Sequence, residues 1–210
     1  MNKHIETMKK QINDYKALYD AAEARVKQIT EDYGEEAGKR EQERQDKKLQ
    51  SARAAAQAAI SEAYKEGTRT AREWGAMDGS KLTDDVKLLE SNLVSPADFE
   101  ELKKKHSGNA MMLKALRQYG EKQNAAAAKE AQEKGDKMAP FGVKPYDVQG
   151  IVTVSDKLEA WERAQKAAVN CLDMVDGSGN YSDSWTRAFT KEAGGKQLET
   201  FGEDEAYSIL

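Results

Sequence analysis

His4, His106 and Cys171 are the side chains of this sequence best suited to metal or nucleophilic chemistry. Their spacing gives them nothing to do together. The two histidines stand 102 residues apart, and they are the only two. A single cysteine cannot build a cysteine-based zinc site, whose ligands come in closely spaced pairs. Cys171 lies between Val169 and Leu172 in an amphipathic stretch, the setting of a buried structural thiol. The run Asp176-Gly-Ser-Gly-Asn-Tyr-Ser-Asp places side-chain oxygens at alternate positions, as a calcium loop does. Its sixth position is Tyr181 where that loop needs glycine, and its twelfth is Arg187 where it needs a bidentate glutamate. A helix C-cap and turn explains it better. Gly194-Gly195-Lys196 lacks the spacing of a phosphate loop. Carboxylates are frequent, but none sits in an apolar setting that would raise its pKa. The sequence therefore predicts a chain that is not an enzyme, with no catalytic, cofactor-binding or metal residue and no cofactor.

What the sequence does offer is helices. Ile5, Met8, Ile12, Tyr15, Tyr19, Ala22, Val26, Ile29 and Tyr33 follow one another at alternating steps of three and four. That is a heptad repeat with both apolar positions filled, on a rod of roughly 45 Å at 1.5 Å per residue. One rod cannot bury such a seam alone. Ile5, Met8, Ile12, Tyr15, Val26 and Ile29 are therefore expected to pair helices, and a homo-oligomer is the expected use. An antiparallel bundle within one chain, with 5–33 folded against 49–74 or 158–175, satisfies the same pattern.

Composition agrees with long solvated helices. Only 39% of the 210 residues are hydrophobic and 33% are charged, too polar for an ordinary single-core domain. Ten Glu-to-Lys or Glu-to-Arg pairs stand at i,i+4, among them Glu36–Arg40, Glu101–Lys105 and Glu130–Lys134. In each the acid comes first, the orientation that suits the helix dipole. A net charge of -4 gives no global field for nucleic acid. No apolar run approaches a membrane span and no signal-peptide core is visible, so the expectation is a soluble, cytoplasmic product with no membrane partner. Locally, 39–72 carries nine bases and five acids. A basic helix can follow phosphates, but no aromatics interleave there for stacking.

Along the chain, 1–34 is the heptad helix. Residues 35–79 are a charged, then alanine-rich helix and loop, whose apolar frame slips relative to the first. Residues 80–137 form a small helical unit with an alanine-rich extension. Thr83 is expected to cap its first helix, Ser95-Pro96-Ala97-Asp98 to start the second and Asn109 the third, which Gly120 could interrupt. Residues 138–154 are a Pro/Gly linker that docks its aromatics. Residues 155–198 are C-terminal helices, the first capped by Ser155 and the last carrying Trp185 and Phe189. Residues 199–210 are an acidic tail. The predicted class is all-α and elongated, with a long coiled-coil N-terminal helix, small helical units and little or no sheet.

Leu88 to Lys122 reads LLESNLVSPADFEELKKKHSGNAMMLKALRQYGEK. The capped SPADFEEL helix, the HSGNAMML turn and the LKALRQYGEK helix follow a long charged amphipathic region. This pattern resembles proteins of the structural-gene clusters of tailed phages and prophages of Gram-positive bacteria, and the overall form is similar to phage scaffolding proteins. The resemblance implies a virion structural or assembly protein, found in the bacterial host cytoplasm or in the virion. Its partner would be coat or another virion protein, bound through the 82–119 unit or the C-terminal helices. Phe99, Leu102, Met112, Leu116, Trp161 and Trp185 are the candidate partner-binding residues. The alternative is a helical adaptor that binds nucleic acid or a host protein through 39–72.

Overall fold

Gly34 ends the first rod. It takes a left-handed φ of +87°, which glycine adopts without cost, and the chain turns back on itself there. In this computed structural model, residues 3–76, 78–136, 142–177, 190–193, 197–200 and 210 are described. Six helices follow in order: α1 (Lys3–Tyr33), α2 (Glu35–Trp74), α3 (Asp85–Glu90), α4 (Pro96–Lys105), α5 (Ala110–Glu133) and α6 (Val154–Val175). A 3-10 turn at Gly79–Lys81 precedes α3. The class is all-α. Its one sheet among the described residues is a small antiparallel hairpin, β1 (Thr190–Ala193) paired with β2 (Gln197–Thr200), Thr190 opposite Thr200. That corrects the expected helix over the same stretch. Thr190 and Thr200 carry β-branched side chains, which suit a strand better than a helix. Trp185, Phe189 and most of the acidic tail lie outside the described residues.

The chain divides into two compact units, one of Met1–Thr70 with Lys157–Leu210, the other of Ala71–Asp156. In the first, α1, α2 and α6 form an antiparallel three-helix bundle. Ile5, Met8, Ile12, Tyr15 and Ala22 are its buried positions on α1; Ala56, Ile60 and Ala63 on α2; Trp161, Ala164, Ala168, Cys171 and Leu172 on α6. The His4 ring meets Trp161 edge-on at 6.0 Å, and Gly67 faces the same indole. Farther along, Arg53 ion-pairs with Asp173 and, at 2.9 Å, with Asp176. The charges that act on Tyr15 are those of Asp176, Arg53 and Asp173. So α1 and α6 run parallel and α2 runs against both. The backbone of β2 lies beside α1.

The second unit is built on helix caps. Ser95 Oγ accepts from the Asp98 amide at 3.2 Å and Asp98 Oδ2 accepts from the Ser95 amide at 3.0 Å, a full capping box with Pro96 at the first helical position. Asn109 accepts from the amides of Met111 and Met112 at the start of α5. Two expected caps differ. Asp84, not Thr83, stands at the N-cap of α3, and the Thr83 hydroxyl instead meets Met112 Sδ at 3.6 Å. The start of α6 is capped two residues before Ser155, by Thr153 and Asp156 in reciprocal hydrogen bonds. Gly120 does not interrupt α5, because the helix needs a bare backbone there: an added Cβ would stand 2.6 Å from Val148 and 3.0 Å from Phe99.

Around Phe99 the core comprises Leu89, Val94, Leu102, Leu113, Leu116, Tyr119 and Ile151. The Tyr119 and Tyr146 hydroxyls both donate to the Val94 carbonyl, at 3.1 and 2.9 Å. Burial, then the Tyr146 hydroxyl, pushes the Tyr119 phenol up to about 12. Of the two aromatics of the expected 138–154 linker, Tyr146 docks on this core and Phe141 lies outside the described residues. The Asn124 amide donates to the Tyr146 carbonyl at 2.8 Å and accepts from its N–H at 2.9 Å.

Asp85 ties α3 to the end of α4. Its Oδ2 accepts from Lys105 Nζ and from buried His106 Nε2, each at 2.7 Å. These two hydrogen bonds, Lys105 first, hold its carboxyl below the ordinary carboxylate range. A depressed folded pKa stabilises the fold above the unfolded value, and that stabilisation is lost as pH falls through the folded value. Asp85→Asn should therefore lower the melting temperature near neutral pH, and the gap from the native chain should narrow as pH falls below about 4. Melts at the two pH extremes check it; a gap that stays constant would show that the carboxylate charge is not what matters.

Candidate functional site

The structure spends most of the predicted seam inside the chain. Ile5 and Met8 are fully buried, Ile12 is 1% exposed and Tyr15 4%, within the single chain. For these four the intramolecular bundle replaces the expected intermolecular seam, since a side chain already dry has no apolar area left for a second copy. Val26 and Ile29 are only half-buried. They lie beyond the level at which Asp173 and Asp176 of α6 meet Arg53, on the stretch of α1 and α2 about Gly34, hereafter the arm. The exposed Tyr33 stands at its tip, and Leu18, 53% exposed, lies on the outer face of α1 near its root.

Close packing holds the arm. A Cβ added to Gly38 would fall 2.0 Å from Thr30 Oγ1, so the two backbones approach as only glycine permits. Its outer surface is charged. Arg40 pairs with Glu36 at 3.8 Å, both exposed, and Arg44 with the half-buried Glu41 at 3.9 Å; surface pairs of this kind are worth ~0.2–1 kcal/mol.

The partner-binding candidates are core residues. Phe99, Met112 and Leu116 are fully buried, Trp161 is 2% exposed and Leu102 8%. Phe99, Met112, Leu116 and Trp161 are core side chains as placed here, and their helical spacing is that of a core, whereas Leu102 also lines a surface groove. Trp185 lies outside the described residues. The second unit exposes Leu82, Leu88 and Leu93, at 40, 46 and 77%; the helical spacing of Val86, Leu89 and Leu93 suggests one apolar face, but α3 ends at Glu90 and leaves Leu93 outside it.

Among the described residues, five of the nine bases of 39–72 stand in ion pairs, two of them with acids outside the stretch. Besides the two arm pairs, Lys65 meets Glu62 at 3.5 Å, Arg69 meets Glu66 at 2.6 Å and Arg53 is held by Asp173 and Asp176. Among the described residues no group of three or more His, Cys, Asp or Glu could hold a metal ion, and Cys171 is buried outside any disulfide. No described helix is long and apolar enough to cross a membrane. No protein-family model matches the chain, and no curated protein or solved structure matches it.

Proposed function

We propose that the chain is a structural or assembly protein of the tailed-phage kind, in the virion or the cytoplasm of a bacterial host. It acts by helix association and partner binding, not by catalysis. The resemblance of 88–122 supplies the phage context. The observation that carries the association reading is the arm: its seam, unlike that of the bundle below it, is only half covered at Val26 and Ile29, with Tyr33 73% exposed at the tip. Two such arms laid against each other would complete a four-helix packing of the kind coiled-coil seams prefer. The partner would be coat or another virion protein. The nucleic-acid adaptor is the weaker reading, because acids already stand beside Arg40, Arg44, Lys65 and Arg69.

Light scattering across a tenfold-or-so dilution series tests it. The native chain should form a dimer or larger species that dissociates on dilution. Leu18→Ser with Tyr33→Ser, both at exposed positions, should keep the helical content and shift the dissociation midpoint at least about tenfold upward, roughly 1.4 kcal/mol. A monomer at every concentration would reject the arm as an association surface.

A further inference from the structure

Between α3, the 91–95 turn and α4 lies a groove of about 480 Å³. Val94 and Leu102 make its floor, and the exposed Leu88 and Leu93 stand on its walls. Asp98 and Glu101 line the α4 side. The i,i+4 pattern pairs Glu101 with Lys105, but Lys105 is drawn to Asp85 at 2.7 Å instead. Glu101 makes no ion pair among the described residues. Asp98 spends Oδ2 on the cap of its own helix and remains an anion, its carboxyl held below the ordinary range first by the Ser95 hydroxyl. Lys105 also lines the groove but is engaged by Asp85, so the groove joins an aliphatic cleft to two carboxylates that make no ion pair among the described residues.

We propose that this groove takes one amphipathic helix of another protein, which sets two large aliphatic side chains between Leu88, Leu93 and Leu102 and a lysine or arginine against Asp98 and Glu101. The proposal rests on the association reading above, as the site of its partner. Helical walls present side chains, not a row of free backbone groups, so the mode is helix-in-groove and not strand addition. Helix α4 is ten residues long. At 1.5 Å per residue it offers about 15 Å, room for some three turns of a partner. Charge decides against the chain's own apolar tail. The segment before Tyr207-Ser-Ile-Leu carries Glu203, Asp204 and Glu205, and no base occurs from Glu199 onward. Such a tail would set like charges against the α4 rim, which is unfavourable.

The full-length chain is titrated into a fluorescently labelled helical peptide of leucine, alanine and lysine with leucines one turn apart. A twin peptide carries glutamate in place of lysine. The lysine peptide should bind saturably and at least about tenfold more tightly than its twin. Leu93→Ser, alone or with Leu88→Ser, leaves the net charge unchanged and should weaken that binding by at least about tenfold. Glu101→Lys should invert the preference between the peptides. Circular dichroism should show native helix content in all three variants. Absence of binding, equal binding of both peptides, or lysine-peptide binding untouched by Leu93→Ser would overturn the proposal. So would a native oligomer that Leu93→Ser dissolves, which would make a second copy the occupant. Light scattering on the Leu18 and Tyr33 variants reads the arm, while peptide binding reads the groove, so the two readings can fail separately.

Discussion

Gly67→Ala lowers the stability of the native chain by about 1–3 kcal/mol, yet stabilises a chain that already carries Trp161→Ala. The first half follows from contact. An added Cβ at residue 67 would stand 2.4 Å from Cε2 and Cζ2 of Trp161. The indole is 2% exposed, so it has no free space to retreat into. Either the ring leaves its rotamer or α2 and α6 part, and both are overpacking costs. The second half follows from the helix. Residue 67 lies deep inside α2, where alanine is favoured over glycine by roughly 1 kcal/mol once nothing opposes its methyl group. Trp161→Ala alone should cost about 3–5 kcal/mol, the range for a fully buried aromatic. Urea unfolding of the four chains, followed by circular dichroism, gives the complete cycle. If Gly67→Ala has the same sign in both backgrounds, the packing of α2 on α6 is not as described.

Phe99→Ala should cost the second unit about 3–5 kcal/mol. Phe99 is fully buried and sits in an aromatic group with Tyr119 stacked at 6.4 Å and Tyr146 edge-on at 5.4 Å. It also fills the space that Gly120 leaves open. Removing the ring takes away the surface on which α4, α5 and the 142–153 stretch all meet. Phe99→Leu keeps most of the volume and should cost less than half as much. Hydrogen exchange should show the loss in the amides of α5 and the Asn124–Tyr146 contact before those of α1. A loss below about 1 kcal/mol, the size of an ordinary surface-to-core difference, would mean that Phe99 is not the centre of this core.

These two residues also mark how far the sequence could be read. Phe99 follows a start signal, Ser95-Pro96-Ala97-Asp98, in which each residue has a local job, and α4 begins where that signal places it. The α1 heptads are as plain, because period alone identifies the helix and its buried stripe. Which helix answers the stripe is another matter. Ile5 or Ile12 presents the same face to α6 of its own chain as it would to a second copy, and nothing local distinguishes them. Trp161 and Gly67 are 94 positions apart, and no short-range rule links them. The partner-binding candidates meet a related limit. Large apolar residues at helical spacing, such as Met112 and Leu116, are what a core is made of; exposure at Leu88 and Leu93 depends on where neighbouring elements stop. The ion pairs behaved similarly. Glu36–Arg40 formed as spaced, while Lys105 found a tertiary acceptor in Asp85.

The first unit is made of two separated stretches of chain, with the whole second unit lying between them in sequence. Synthesis therefore delivers its parts out of step. The α1–α2 hairpin leaves the ribosome early, with the groove that α6 will fill, including Ile5, Met8, Ile12 and Ile60, still wet. Roughly a hundred more residues must be made before Leu172 appears, about 5–20 s at a usual elongation rate. In that interval the second unit, which is continuous, can fold to completion. The nascent hairpin is meanwhile the species open to capture by a chaperone or by the hairpin of a neighbouring nascent chain. Closing the bundle last also means bridging the intervening segment, although that entropic cost grows only with the logarithm of its length.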